Sequence, residues 1–191
     1  SVTVRDPASS KSLIGTEINS GNNGNTQAVI GELVSYSVTL TIPEGTVPNA
    51  RVVDTLPTGL AFVDFVGLTN SNPAQVTLGQ TPDPANTGTG VTNNPRITAS
   101  GRTITFEFGT ITNTNTDNAV AETITLEYRV VVLNVVGNQA GTNLRNSAVF
   151  SWTDTTDPGS TRRSLGAARA PFVQVVEPNV TINKTISPGA A

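Results

Sequence analysis

The stretch "LVSYSVTLTI" (33–42) decides the fold. Val34, Tyr36, Val38, Leu40 and Ile42 alternate with Ser35, Ser37, Thr39 and Thr41. Successive side chains of an extended strand point to opposite faces, so one face here is apolar and the other hydroxylated. That is an antiparallel strand with one side on a core and one in water. Residues 103–108 repeat the pattern with Ile104, Phe106 and Phe108, and residues 123–132 with Ile124, Leu126, Tyr128, Val130 and Val132. Residues 144–152 align Leu144, Asn146, Ala148, Phe150 and Trp152. β-branched runs of this kind, separated by Gly, Pro and Asn clusters, predict an all-β chain; no segment reads as a helix. Two antiparallel sheets packed as a sandwich bury every apolar face most economically.

The connections are long and polar. "NSGNNGNTQ" (19–27), "GQTPDPANTGTGVTNNP" (79–95), "TNTNTDNA" (112–119) and "TDTTDPGSTRRSLGAA" (153–168) are rich in residues that favour turns and left-handed backbone. The 79–95 segment exceeds the usual loop length and reads either as an elaborated loop with a role or as a tolerated surface insertion. Beyond it, "APFVQVVEPNVTINKTISPGAA" (170–191) resumes strand-like alternation, and "NVTINKTISP" echoes the opening "SVTVRDP". Such an echo is what cutting one unit from a tandem array leaves, and it is also what chance yields in a Val/Thr-rich chain. The expected organisation is a sandwich over 1–168 and a linker or donor strand over 169–191. The chain starts at Ser1 without an initiator Met and is read as a processed or excised piece.

Composition excludes much. Hydrophobic residues make up 36% of the chain, enough for a core, while charged residues make up 13%, about half the usual share. A net charge of −3 with scattered basic residues offers no stripe for a nucleic acid backbone. There is no Cys and no His, which removes disulfides, thiolate nucleophiles, zinc ribbons and every Ser-His-Asp arrangement. Metals are left with hard oxygen ligands, and no run approaches the ~20 apolar residues of a membrane span. No cofactor is called for, and an enzyme is not expected.

Two polar residues break the apolar faces. In "VVDTLPTGLAFV" (52–63), Asp54 shares a strand face with Val52 and Leu56. Asn146 likewise shares a face with Leu144, Ala148, Phe150 and Trp152. Polar groups directed into an apolar interior must find partners or lose several kcal/mol of hydration, about 2–7 for an amide or hydroxyl.

"GELVSYSVTLTIPEG" (31–45), "ARVVDTLPTGLAFV" (50–63), "LRNSAVFSW" (144–152) and "VEPNVTINKTISP" (176–188) together resemble the conserved repeat of large bacterial surface proteins catalogued as domain of unknown function 11. They are also similar to the isopeptide-forming domains of fimbrial backbone proteins. The resemblance covers roughly residues 30–150. It implies an immunoglobulin-like antiparallel β-sandwich with a C-terminal extended strand. It further implies a structural extracellular repeat or subunit of a bacterial surface filament, sheath, stalk or adhesin, with neighbouring copies or adjacent repeats as partners. Some such relatives form an autocatalytic Lys–Asn bond assisted by a buried carboxylic acid.

The residues bear on that chemistry. A buried Asp54 would hold its proton and could polarise the Asn146 amide, while a buried lysine would lose its charge and become a nucleophile. The chain has two lysines, Lys11 and Lys184, and the resemblance would place one near Asp6 instead. Lys11 would bond Asn146 within the domain; Lys184 on the tail would bond the Asn146 of a neighbour. The plainer alternative is that Asp54 and Asn146 only bond the backbone at strand ends.

Other constellations are weaker. Asp117 with Asn113 and Asn115 could hold a weak calcium ion, although a solvated turn explains the same residues. Glu32, Glu44, Asp64, Asp83, Glu122, Asp154 and Asp157 are further oxygen donors on separate loops. A surface ligand-binding module, for glycan or calcium-dependent adhesion, is the rival function, and exposed aromatics would favour it. Asn179 and Asn183 fit the glycosylation pattern, which is incidental in a bacterial protein.

Overall fold

The computed structural model describes residues 6–21, 23–82, 97–117, 119–177 and 182–184. Its strands run β1 (Ala8–Thr16), β2 (Gln27–Ala28), β3 (Leu33–Ile42), β4 (Gly45–Thr55), β5 (Leu60–Asn70), β6 (Val76–Leu78) and β7 (Ile97–Ser100). They continue with β8 (Thr103–Asn113), β9 (Glu122–Val132), β10 (Asn143–Leu144), β11 (Ser147–Thr153), β12 (Arg162–Ser164), β13 (Ala168–Arg169) and β14 (Val173–Val175). One antiparallel sheet has the order β1-β3-β9-β5, and a larger one β12-β11-β4-β8-β6, with β13 on β11 and β7 on β8. A small third sheet, β10-β14-β2, closes one end. The protein is an immunoglobulin-like β-sandwich, and no helix among its described residues is long and apolar enough to cross a membrane.

The alternation read in the sequence is the alternation of burial. Along β3 every second residue from Val34 to Ile42 is buried, and along β9 the same holds from Ile124 to Val132, with Tyr128 among them. The facing sheet contributes Val52, Ile104, Phe106, Phe108 and Phe150 to the same core. The aromatic rings bridge the two layers: Phe106 lies 5.4 Å from Tyr128 and 5.7 Å from Phe65, centroid to centroid, at tilted angles that suit aromatic pairs. Ser and Thr face outward, where hydroxyls meet water and β-branching suits the pleat.

The expected boundary lies between residues 168 and 169. It falls inside β13, which pairs with β11, and Ala170, Val173 and Val175 beyond it are fully buried or nearly so. β14 pairs with β10 antiparallel and with β2 in parallel. Burying three apolar side chains outweighs the turn-rich composition just upstream, so the packed fold extends to Val175. Most of the tail echo, and most of the 79–95 loop, lie outside the described residues.

The turn after β4 holds that strand in place. In "LPTGL" (56–60), Gly59 adopts φ +112°, a conformation that side chains oppose. The buried Asn138 side chain donates to the carbonyls of Gly59 at 2.9 Å and Leu133 at 2.8 Å, directly against the space a Cβ on Gly59 would fill. Gly59→Ala is expected to lower stability by about 2 kcal/mol, read as a shift of the urea midpoint. A loss under about 0.5 kcal/mol would mean that the turn yields without cost.

Candidate functional site

Lys11, Asp54, Tyr128 and Asn146 meet in the core. Lys11 comes from β1, an edge strand, and its inward phase is set by the pairing of Lys11 with Val38. Asp54 comes from the end of β4, next to its final residue Thr55, flanked by Ile104 on one side and Ala148 on the other. Tyr128 lies in β9 between Tyr36 and Phe65, and Asn146 immediately precedes β11. The Asn146 carbonyl accepts from the Ala170 amide at 3.1 Å, which ties it to the chain entering β14. Asp54 and Asn146 have no exposure at all, and the Lys11 side chain is likewise fully covered.

The Lys11 Nζ donates to Asp54 Oδ2 at 2.5 Å and also to the Tyr128 hydroxyl. The Tyr128 hydroxyl donates to the same Asp54 oxygen at 2.5 Å, and Asn146 Nδ2 donates to the Tyr128 oxygen at 3.1 Å. The rings of Tyr36 and Tyr128 flank the amine at 4.9 and 4.7 Å. Two oxygens, Asp54 Oδ1 and Asn146 Oδ1, have no partner, and neither has the Tyr36 hydroxyl. A carboxyl that carries its proton gains a donor, and the Asn146 Oδ1 is an acceptor lacking one.

Burial dominates the titration of the pair. Desolvation lowers the Lys11 amine below its ordinary value, against the opposing pull of Asp54. Desolvation raises the Asp54 carboxyl, against the pull of Lys11 and the hydrogen bonds from Lys11 and Tyr128. Both shifts favour a neutral amine beside a protonated acid. A neutral amine is a nucleophile, and a carboxamide polarised by an acid is an electrophile. The arrangement is therefore equipped for amide transfer from Asn146 to Lys11.

Lys184 is exposed and takes no part in this cluster. Asn113, Asn115 and Asp117 form a run of side-chain-to-backbone turns: their Oδ1 atoms accept from the amides of Asn115 at 3.0 Å, Asp117 at 2.7 Å and Ala119 at 2.9 Å. The Asn113 and Asn115 amides donate to Glu122, and the Asn113 bond is the first cause of the lowered Glu122 carboxyl. Glu32 anchors the 17–32 loop by accepting from the Ile18 and Val29 amides and from Asn23 Nδ2. Asp64 pairs with Arg129 across two strands, and Asp154 and Asp157 cap turns beside Arg163. Among the described residues, no three His, Cys, Asp or Glu side chains gather where a metal ion would sit. Asp83, Asn179 and the residues around them lie outside the described residues; Asn183 is exposed.

Sequence reasoning passed over Tyr128 as a member of the site. Tyr36 and Tyr128 were legible as core residues, and nothing in a strand pattern distinguishes a buried ring from a buried ring whose hydroxyl reaches a cluster.

No protein-family model matches the chain, and no curated protein does. Among solved structures it is similar to the major pilin subunit BcpA of Bacillus cereus, at 18% identity and a TM-score of 0.46 over 90% of this chain and 40% of that one. It is similar to a fragment of the major pilin GBS80 of Streptococcus agalactiae, at 12% identity and a TM-score of 0.48 over 90% and 56% of the two chains. The pilus backbone protein RrgB from Streptococcus pneumoniae gives 15% identity and 0.48 over 80% and 33%. The chain thus spans between a third and just over half of the pilins it resembles. At such identities and scores, fold and function rest on this chain's own strands and side chains.

The pH dependence of the pair follows from proton counting. A neutral pair in the folded chain and a charged pair in the unfolded chain bind equal numbers of protons between about pH 4 and 10. In Asn146→Ala, which removes the electrophile and keeps the pair, these two residues should add no slope to stability across that window. Adding Lys11→Met leaves Asp54 protonated when folded and ionised when unfolded above about pH 4. Stability should then fall as pH rises through the window to the folded pKa, by up to about 1.4 kcal/mol per pH unit. Urea titrations at several pH values check this, and equal slopes for the two variants would refute a raised Asp54 carboxyl.

Proposed function

We propose that this chain is a structural unit of an extracellular bacterial surface filament, sheath, stalk or adhesin, locked by an isopeptide bond between Lys11 and Asn146. The observation that carries this reading is the fully buried cluster of amine, acid and carboxamide. The Lys11 nitrogen attacks Asn146 Cγ, with Asp54 as the acid that polarises Oδ1. The new N–C bond forms, the bond to Nδ2 breaks, and ammonia leaves.

The position of the bond suits a load-bearing unit. It would tie the edge strand β1 of one sheet to the start of β11 in the other, two strands that border each other without pairing. The chain has no cysteine, so this tie would take the place a disulfide holds in other extracellular domains. Cross-linking residues so far apart in sequence restricts the unfolded chain by about 5 kcal/mol on the loop-entropy scale used for disulfides. The likeness of "VVDTLPTGL" and "LRNSAVFSW" to the bacterial surface repeat supports the same reading, because these motifs carry Asp54 and Asn146.

The rival ligand-binding reading wanted exposed aromatics. Tyr36, Tyr128, Phe65, Phe106, Phe108 and Phe150 are buried, and Trp152 stacks on Phe150 at 5.6 Å; Phe172 alone among the large aromatics is half exposed. Packed rings and the terminal place of β5 in its sheet favour assembly over a sugar platform.

Intact-mass spectrometry tests the bond. The purified chain should be lighter than its sequence by about 17 Da, one ammonia, and Lys11→Arg, Asp54→Ala and Asn146→Ala should each restore the full mass. Peptide mapping should find residues 11 and 146 in one branched fragment. An unchanged mass overturns the bond. A loss of about 18 Da, one water, would move the acceptor to Asp54. A ladder of covalent multimers that depends on Lys184 would move the bond between chains.

A further inference from the structure

We propose that Tyr128 is a catalytic residue of this cross-linking: its hydroxyl takes the proton that the Lys11 amine must lose and gives one to the departing Asn146 nitrogen. The inference rests on the Lys11–Asn146 reading and adds to it the route of the proton.

Forming the bond requires a net proton transfer between two nitrogens. Lys11 Nζ begins with two hydrogens as a neutral amine and ends with one, and Asn146 Nδ2 begins with two and leaves with three as ammonia. Asp54 is placed to polarise the carbonyl, but its Oδ2 is occupied by Lys11 and Tyr128 and its Oδ1 bonds neither nitrogen. The Tyr128 hydroxyl is bonded to both. It accepts from Lys11 Nζ and from Asn146 Nδ2, the latter at 3.1 Å. As the C–N bond of the tetrahedral intermediate breaks, the Tyr128 proton moves to Nδ2 while its oxygen receives one from Nζ. Tyr128 and Asp54 finish as they began, and no free ion crosses the core.

A concerted exchange suits this setting. Burial pushes the Tyr128 phenol well above its usual range, so a free phenolate would be costly and a hydroxyl that gives and receives together is not. Tyr36 supplies an internal comparison. Its ring lies against the same amine, yet its hydroxyl has no partner. If only aromatic walls mattered, the two tyrosines would be equivalent.

The test follows bond formation in the whole chain, made by cell-free synthesis with a short isotopic pulse and sampled by intact mass. Tyr128→Phe should slow the loss of about 17 Da by about 100-fold, the lower end of general acid–base contributions. Tyr36→Phe should stay within about 3-fold of the parent, well under that range. A 3,5-difluorotyrosine placed at position 128 by stop-codon suppression restores a hydroxyl and should recover a rate within about 10-fold of the parent. Each substitution is also made with Asn146→Ala, so that melting temperatures report folding without the bond.

Tyr128→Phe bonding at the parental rate overturns the proposal, and so does a difluorotyrosine protein as slow as Tyr128→Phe. Should Tyr128→Phe fail to fold, the difluorotyrosine rate alone decides, recovery supporting the relay and its absence refuting it. A parent that never lightens overturns the underlying bond as well, an outcome distinct from a parent that lightens alongside an equally fast Tyr128→Phe.

Discussion

The interaction on which this structure depends is the contact between Lys11 and Asp54 inside an apolar core. Taking an ammonium and a carboxylate out of water is expensive, and Coulomb attraction in the interior recovers that only with good geometry and further hydrogen bonds. Here the geometry is close and Tyr128 adds a bond, yet burial still pulls both groups toward their neutral forms. A buried pair of this kind is poor evidence for stability. It is better evidence for chemistry, because the same neutralisation yields a nucleophile next to an acid.

The sandwich assembles the cluster from four stretches of chain that local forces would never bring together. β1 supplies the amine from a sheet edge, β4 and β9 supply the acid and the phenol from the middle of each sheet, and the approach to β11 supplies the amide. Rigid ladders on either side hold each backbone, and the aromatic rings that fill the layer between the sheets exclude water. The Asn138 clamp on Gly59 and the Glu32 anchor of the 17–32 loop hold the chain at the ends of the strands that carry the site. These polar residues hold the chain through hydrogen bonds to its own backbone.

Much of this was legible in residue order. The inward phase of Asp54 and Asn146 follows from period-two alternation, and both are completely buried. The end of the domain was not legible. The turn-rich run up to Ala168 reads like a terminus, whereas the burial of Ala170, Val173 and Val175 is a property of what covers them. The turns at Asn113, Asn115 and Asp117 were legible as Asx-rich sequence, and only the fold shows that each Oδ1 accepts from a backbone amide two residues on.

By itself the sequence determined the all-β class, the two inward polar residues, and the restriction of any lysine chemistry to Lys11 or Lys184. Those are matters of periodicity and count, which a linear chain carries in full. Only the tertiary structure decided that Lys11 stands at Asp54 while Lys184 stays exposed, and that a tyrosine hydroxyl joins the amine to the amide. Register between distant strands decides such meetings, because one residue of slip turns a side chain from the core to the solvent.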